Sequence, residues 1–397
     1  MNQNCSSPLN RTLMLPCGSK LKNRIAKSAM SDSLGDGAGN PTDDQINLYE
    51  RWAKGGLGLS IIGEVQATPN YAEKPGNLIV SDHSDLDQLK RLARAGATDG
   101  AQLWLQLGHA GAMADAPIST PKGPSALDLP GLTCDALSLE EVTALPPEFA
   151  RTASIAKELG FGGVEIHAAH GFLLNQFLSP LFNRREDAYG GSLQNRMRLL
   201  LEVINAVRSA VGPDFPIGIK LNATDQLEGG FAEDEALEVI AAVDQTAIDL
   251  IDISGGTYFP GAKSSSDRAG SGPYFLDFAG CARSKTSIPL MVTGGFKTLA
   301  QAESALADGK ADIVGLARAL VVDPELPSNW LSGERGEPQF PRFNHPPEGG
   351  VTAWFTMQIT RHARGEARLS PDDLANAIKA YEDRDDARRK IWSSTFN

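Results

Sequence analysis

Cysteine, histidine and long apolar runs are all scarce in this chain of 397 residues. The four cysteines, Cys5, Cys17, Cys134 and Cys281, form no C-x-x-C pair and match no zinc or iron–sulfur spacing. Isolated thiols in a long chain suit a reducing compartment. No apolar run is long enough to span a bilayer. The first thirty residues are polar, with Arg11, Lys20, Lys22, Arg24 and Lys27 and no apolar core. No signal peptide is expected there, and a cytoplasmic location is the expectation. Excess positive charge is also missing: the formal net charge is -12. That argues against a general nucleic-acid or anionic-membrane surface, while leaving room for one local basic pocket. An open doubly wound sheet would show a G-x-G-x-x-G turn after its first strand; none follows residue 30.

What is present reads as an ordinary globular protein, 41% apolar and 22% charged. The length allows one large domain or two ordinary ones. Eight short apolar runs recur along the chain: Arg24–Met30, Leu57–Ile62, Ala101–Leu107, Val164–Ile166, Ile217–Leu221, Ile248–Ile253, Pro289–Thr293 and Asp312–Leu316. Helical periodicity separates most of them. The clearest case follows Ser192, with Met197, Leu200, Leu201, Ile204, Val207 and Val211 on one face and Gly212-Pro213 as the stop. A second runs from Asp234 to Thr246. Eight strands alternating with helices predict a parallel sheet closed into a (β/α)8 barrel. Residues 108 to 147 are rich in proline and read as a long loop on the catalytic face. We expect the barrel to occupy residues 1–335. Residues 336–397 form a C-terminal extension with Leu374, Ile378 and Tyr381 at helical spacing.

The stretch from Gly163 to Gly191 holds the densest chemistry. His167 and His170 follow the strand Val164–Ile166, where it would run out. Two imidazoles so placed can donate two hydrogen bonds to one oxygen, or hold a metal. A lone histidine at a strand end is ordinarily a satisfied polar group. This pair is followed by Gln176-Phe-Leu-Ser-Pro180, Asn183-Arg-Arg185 and Tyr189-Gly-Gly191. The whole block resembles the strand-four signature of the old yellow enzyme family, FMN-dependent ene-reductases and NADH:flavin oxidoreductases. The resemblance extends from about residue 20 to residue 324. One position departs from it. Many members carry a tyrosine after His-Gly as proton donor; here Phe172 stands there.

The resemblance implies FMN as cofactor, NADH or NADPH as reductant and an α,β-unsaturated carbonyl compound as small-molecule substrate. It also implies a hairpin within residues 1–20 that caps the barrel bottom, and neither the cysteine cluster nor the added flavin domain of larger relatives. Residue by residue, Ser31, with Ala29 and Met30 before it, matches the group that hydrogen-bonds flavin O4. Ser33, Asp36 and Gly37 equally allow a plain turn there. Val65 matches a backbone contact to the flavin ring, a role compatible with an ordinary strand residue. Gln106 offers the donor and acceptor that a flavin pyrimidine edge complements. His109, just after it, reads as structural. Lys220 sits amid an apolar strand, where a cation is rare unless paired. The resemblance gives it the negative charge of reduced flavin; a snorkelling surface lysine is the duller alternative.

Gly294 and Gly295 end strand seven, and Ala317 and Arg318 follow strand eight. In such barrels these two loops commonly form a phosphate site. His167 and His170 would bind the substrate carbonyl oxygen and stabilise an enolate as hydride arrives. Phe172 leaves the proton donor open between water and Tyr258, which is about as readily an ordinary loop aromatic. With slow protonation, an isomerase or dehydrogenase of a specialised metabolite is the alternative. A metal-dependent hydrolase using both histidines with Asp225 and Asp252 ranks lower, since only six histidines exist and most lie elsewhere. No metal is expected, and a homo-oligomer is left open.

Overall fold

The computed structural model describes residues 7–259, 272–334 and 336–396. Cys5 and the rest of the first six residues, and the expected junction at residue 335, lie outside them. All eight anticipated strands form: β1 Ile25–Met30, β2 Leu59–Gln66, β3 Gln102–Gly108, β4 Gly163–Ala168, β5 Ile217–Asn222, β6 Leu250–Ser254, β7 Leu290–Thr293 and β8 Ile313–Leu316. Each pairs in parallel with the next, and β8 pairs with β1, so the sheet closes into a (β/α)8 barrel. A short extra strand, Leu78–Ile79, adds to the upper part of β2.

Alternation along each strand sorts the side chains. Outward residues such as Ile25, Leu105, Val164, Ile166, Ile219, Ile251, Val292 and Val314 join the main core under the helices. Inward residues near the strand starts, including Ala26, Leu59, Ile61, Trp104, Leu250, Met291 and Ile313, form a separate apolar plug. Leu13, Leu15 and Leu21 close this plug from below, brought there by the expected hairpin, Leu13–Met14 against Lys20–Leu21. Higher up, the inward positions turn polar. The filled lower barrel is therefore scaffold, and the polar strand C-termini are where barrels of this kind place their chemistry.

The helix expected after Ser192 forms in two pieces: the Ser192 hydroxyl accepts from the Asn195 N–H and caps Leu193–Arg196, a break falls at Met197, and Gly212 at φ 77 ends Arg198–Val211. The region from 108 to 147 is more ordered than its prolines imply. It contains a small sheet, Lys122–Gly123, Leu127–Leu129 and Leu132–Ala136, and from Leu139 it is already helical. Ser138 and Glu141 make a capping box. Pro146 and Pro147 sit inside the helix, yet Val142, Leu145, Phe149 and Ala153 bury one face against the core. Packing overrides the missing N–H groups.

The tail forms two helices, Gly350–Ala363 and Leu374–Phe396. The first packs on the helix Asp43–Lys54, and Trp354 and Trp392 are fully buried. Arg388 donates to the Ser33 carbonyl, and Arg389 pairs with Asp115 at 3.1 Å. The last helix thus braces the loops after β1 and β3. Among the described residues, no helix is long and apolar enough to cross a membrane.

Candidate active site

Six inward side chains make a polar layer above the apolar plug. Lys220 stands opposite Asp252 in the β5–β6 register and pairs with it; its ammonium also donates to Ser28 at 2.8 Å and lies 3.7 Å from Glu165. Thr293 donates to Asp252 at 2.6 Å, and the Gln106 amide donates to Glu165 at 2.7 Å. Burial opposes the charge on Lys220, but Asp252 and Glu165 outweigh it and hold the ammonium above its ordinary pKa. Burial raises Glu165 to about 7, against the pull of Lys220. Lys220 is thus a fully buried, paired cation and not a snorkelling one.

His167 and His170 lie directly above this layer. His167 ends the inward alternation of β4, and His170 sits at φ 61 in the turn beyond it. Its N–H donates to Asn222 at 3.0 Å, and its own carbonyl accepts from Tyr258. Nε2 of His167 and Nδ1 of His170 are 3.3 Å apart, and Nε2 of His170 is 2.8 Å from the Ser254 hydroxyl. Burial depresses His167 to about 3, helped by Lys220, and carries His170 well below its usual value. Both rings are neutral at physiological pH. Phe172 is buried against His167, centroids 4.8 Å apart, and Tyr258 stands 6.0 Å from the Phe172 ring. Tyr258 is 62% exposed, at the mouth, in the fields of Glu73, Glu64 and Arg318.

Ala29, Met30 and Ser31 are half-buried at the top of β1. Gly63 of β2 lets them approach: a Cβ there would lie 2.3 Å from the Met30 carbonyl carbon. Ser31 accepts from Asn77 at 3.5 Å, and its hydroxyl lies close enough to Glu73 to favour that carboxyl's charged form. Val65 is fully buried beside Leu107. Gly294 and Gly295 have φ of 101 and 85, which only glycine adopts without strain. A Cβ on Gly295 would also meet the Gly272 carbonyl oxygen at 2.2 Å. Ala317 caps the short helix that Arg318 opens, and the Arg318 guanidinium lies 5.6 Å over the Phe355 ring of the helix Gly350–Ala363. Among the described ion pairs, Arg318 has no carboxylate partner.

The residues invoked for a metal do not converge. Asp252 is taken by Lys220. Asp225 is tied to Asn175, Asn222 and the Phe231 N–H. Among the described residues, no group of three or more His, Cys, Asp or Glu could hold a metal ion. His109 stacks on Tyr71 at 4.0 Å and accepts from the Gly111 N–H, a structural arrangement.

A family model described as NADH:flavin oxidoreductase / NADH oxidase matches residues 17–335. The chain belongs to that family. It is 35% identical over 353 residues to the NADH-dependent flavin oxidoreductase iliE of Hypocrea jecorina, covering 80% of this chain and 88% of that protein. Its identity to the NADPH dehydrogenase of Bacillus licheniformis is 35%, covering 80% and 93%. The similarly named iliE of Neonectria sp. is 36% identical, but the matched part spans only 46% of its length. Among solved structures, morphinone reductase superposes with a TM-score of 0.72 at 25% identity, over 85% of this chain and 92% of that one. A 2-naphthoyl-CoA reductase complex gives 0.76 at 29% identity, over 82% and 52%. The family's members are FMN-dependent oxidoreductases that use NADH or NADPH, and the old yellow enzyme resemblance holds at that level.

Several residues at this site escape the motif reading, and Asp252 entered it only as a candidate metal ligand. Glu165, Asp252 and Ser28 surround Lys220, Ser254 holds His170, and Glu64 approaches His167. A signal existed for two of them: Glu165 and His167 are two apart on one strand and share its inward face, and Asp252 interrupts an apolar run. Glu64 gave none, because a register shift between Ile62 and Val65 breaks the alternation that would orient it.

Proposed function

We propose that this enzyme reduces the C=C bond of α,β-unsaturated carbonyl compounds, with NADH or NADPH as the source of electrons and FMN as carrier. One observation carries the reading: two neutral imidazole nitrogens, His167 Nε2 and His170 Nδ1, converge within 3.3 Å above a buried cation layer. A carbonyl oxygen placed between them can accept from both rings. Such donors stabilise the enolate that forms when hydride reaches the β-carbon.

FMN would be held along the strand ends. Ser31, Ala29 and Met30 would line one edge of the ring, and Val65 would offer its backbone. Gln106 gives its amide N–H to Glu165, which leaves its carbonyl oxygen for a ring N–H. Lys220 would face the pyrimidine with its charge fixed by Asp252. Gly294, Gly295 and Ala317 would turn backbone toward the phosphate, with Arg318 as clamp. The donor set suits a flavin mononucleotide: a buried cation, a buried amide and an arginine without a carboxylate partner among the described residues. When bound, the flavin supplies hydride. The chain's task is then to orient the alkene, polarise its carbonyl and provide a proton.

Replacing both histidines with alanine tests this reading. Flavin reduction by nicotinamide should survive and enone turnover should be lost. Undiminished turnover in the double variant sinks it. A second reading rests on Phe172, which fills the donor position with no acidic group. If proton supply is slow, the enolate can hand the β-hydride back to the flavin, which permits isomerisation without net redox change. Desaturation would be the reverse half-reaction, a saturated substrate giving hydride to oxidised flavin, with an electron acceptor to turn the flavin over.

A further inference from the structure

We infer that Glu64 is a positioning residue for His167: its carboxyl group decides which imidazole nitrogen carries the proton, and so whether Nε2 can donate to a substrate oxygen. The inference builds on the proposed role of the histidine pair. Glu64 Oε1 lies 3.0 Å from His167 Nδ1, and the two side chains are only 5% and 1% exposed. Among the described residues no other group approaches Nδ1 closely enough to bond it, and its line to Oε1 lies off the hydrogen-bond direction in this arrangement, so a small turn of either side chain completes the bond. The backbone is shaped to deliver the carboxyl group. Glu64 has φ 59, in the left-handed region that a bulky residue adopts only under constraint. Gly108 leaves room for it, since a Cβ there would stand 2.5 Å from Oε2. Gln66 Nε2 approaches Oε2 at 3.5 Å.

Proton counting gives the consequence. With one proton on the pair beyond that of a neutral ring, two microstates exist. Either the carboxylic acid donates to Nδ1 and Nε2 carries hydrogen, or the ring is an imidazolium and both nitrogens do. In each, Nε2 is a donor. Remove that proton and the carboxylate draws the remaining imidazole hydrogen to Nδ1. Nε2 then presents a lone pair to a carbonyl oxygen and repels it. Second-shell carboxylates fix histidine tautomers in this way. Among the described residues, the charged and titratable groups facing Glu64 are His167 on β4, Lys220 on β5, Glu73 beyond β2 and Tyr258 beyond β6. Lys220 is occupied by Asp252, so it only moderates the effect of burial. Burial places the Glu64 transition at about 8.

The experiment is 15N NMR of the FMN-loaded enzyme labelled at histidine, with His167 assigned by substitution, followed from pH 6 to pH 10. We expect the His167 signals to pass from the Nε2–H to the Nδ1–H pattern near pH 8 in the wild type. The transition should vanish in Glu64→Gln, whose amide does not titrate. In parallel, a cyclic enone should bind the oxidised wild type about tenfold more weakly above the transition, the scale of one hydrogen bond, and Glu64→Gln should show no such limb. A wild type without the transition, or a transition that persists in Glu64→Gln, overturns the inference. A tautomer switch without any change in enone affinity upholds the role of Glu64 and instead overturns the enone reading.

Discussion

Lys220 and Asp252 face each other across β5 and β6 with side chains no more than 1% exposed, and their pairing ties the centre of the barrel together. Removing the cation alone leaves Asp252 and Glu165 buried without it. Breaking such a pair commonly costs about 3–5 kcal/mol, whereas neutralising both members costs far less. Lys220→Met should therefore lose about 3–5 kcal/mol in urea unfolding, and Lys220→Met/Asp252→Asn should recover much of that loss. Equal stability of the single and double variants would show that the pair is not the strut described here.

Strand count, barrel closure and the position of the histidine pair were legible in the sequence through recurring short apolar runs, and the bottom hairpin through the family resemblance. Lys220 was conspicuous within one such run: a charge amid Ile217, Ile219 and Leu221 needs a partner. The identity of that partner was hidden, since Asp252 lies 32 residues away and only strand register brings the two together. Glu64 was hidden by the register shift in β2. The helix starting at Leu139 was masked by Pro146 and Pro147, whose local preference is overruled by a buried face.

Arg318 gives the second prediction. It opens the helix after β8 beside the Gly294–Gly295 turn and has no carboxylate partner among the described ion pairs. Arg318→Ala should weaken FMN binding by ~1.5–3 kcal/mol, the value of a hydrogen bond to a charged group. Flavin fluorescence titration of the apoprotein measures this. Denaturing the purified wild type should release FMN. Release of FAD, or unaltered FMN affinity in the variant, contradicts the phosphate assignment.

Lys27 yields a stability prediction. It points outward from β1 beneath the helix Asp43–Lys54, fully buried, and donates to the Ile61 carbonyl at 2.7 Å and the Tyr49 hydroxyl at 3.1 Å. Burial lowers it to about 7, although Asp32 nearby favours the charge. In the unfolded chain the amine stays protonated up to its ordinary range near pH 10.4. Between these limits the unfolded state binds more protons, so this group makes stability rise with pH, by at most ~1.4 kcal/mol per pH unit. Below about pH 7 both states are charged and the slope vanishes. Lys27→Met should flatten the wild-type rise between pH 7 and pH 10 in denaturant titrations. A variant with the same pH slope as wild type would place the depressed group elsewhere.

The last prediction concerns the proton. Hydride addition to an enone leaves an enolate whose α-carbon must be protonated, and Phe172 packs against His167 where a phenol would serve. General-acid help is commonly worth ~10²–10⁴ in rate, so its absence should weigh on weakly activated alkenes. Tyr258 is the nearby phenol, its ring 5.8 Å from that of His170 and 6.0 Å from that of Phe172, and its exposed position lets water compete with it. Phe172→Tyr should raise the ratio of reduction to isomerisation on cyclic enones while nicotinamide reduces the flavin at nearly the wild-type rate. Tyr258→Phe should slow reoxidation by the enone and leave flavin reduction alone. Stopped-flow measurement of the two half-reactions separates these effects, because only the second consumes the proton. If both variants reoxidise as the wild type does, protonation limits nothing at either position. The isomerase reading then loses its physical basis, and Phe172 becomes a packing residue that shapes the pocket beside His167.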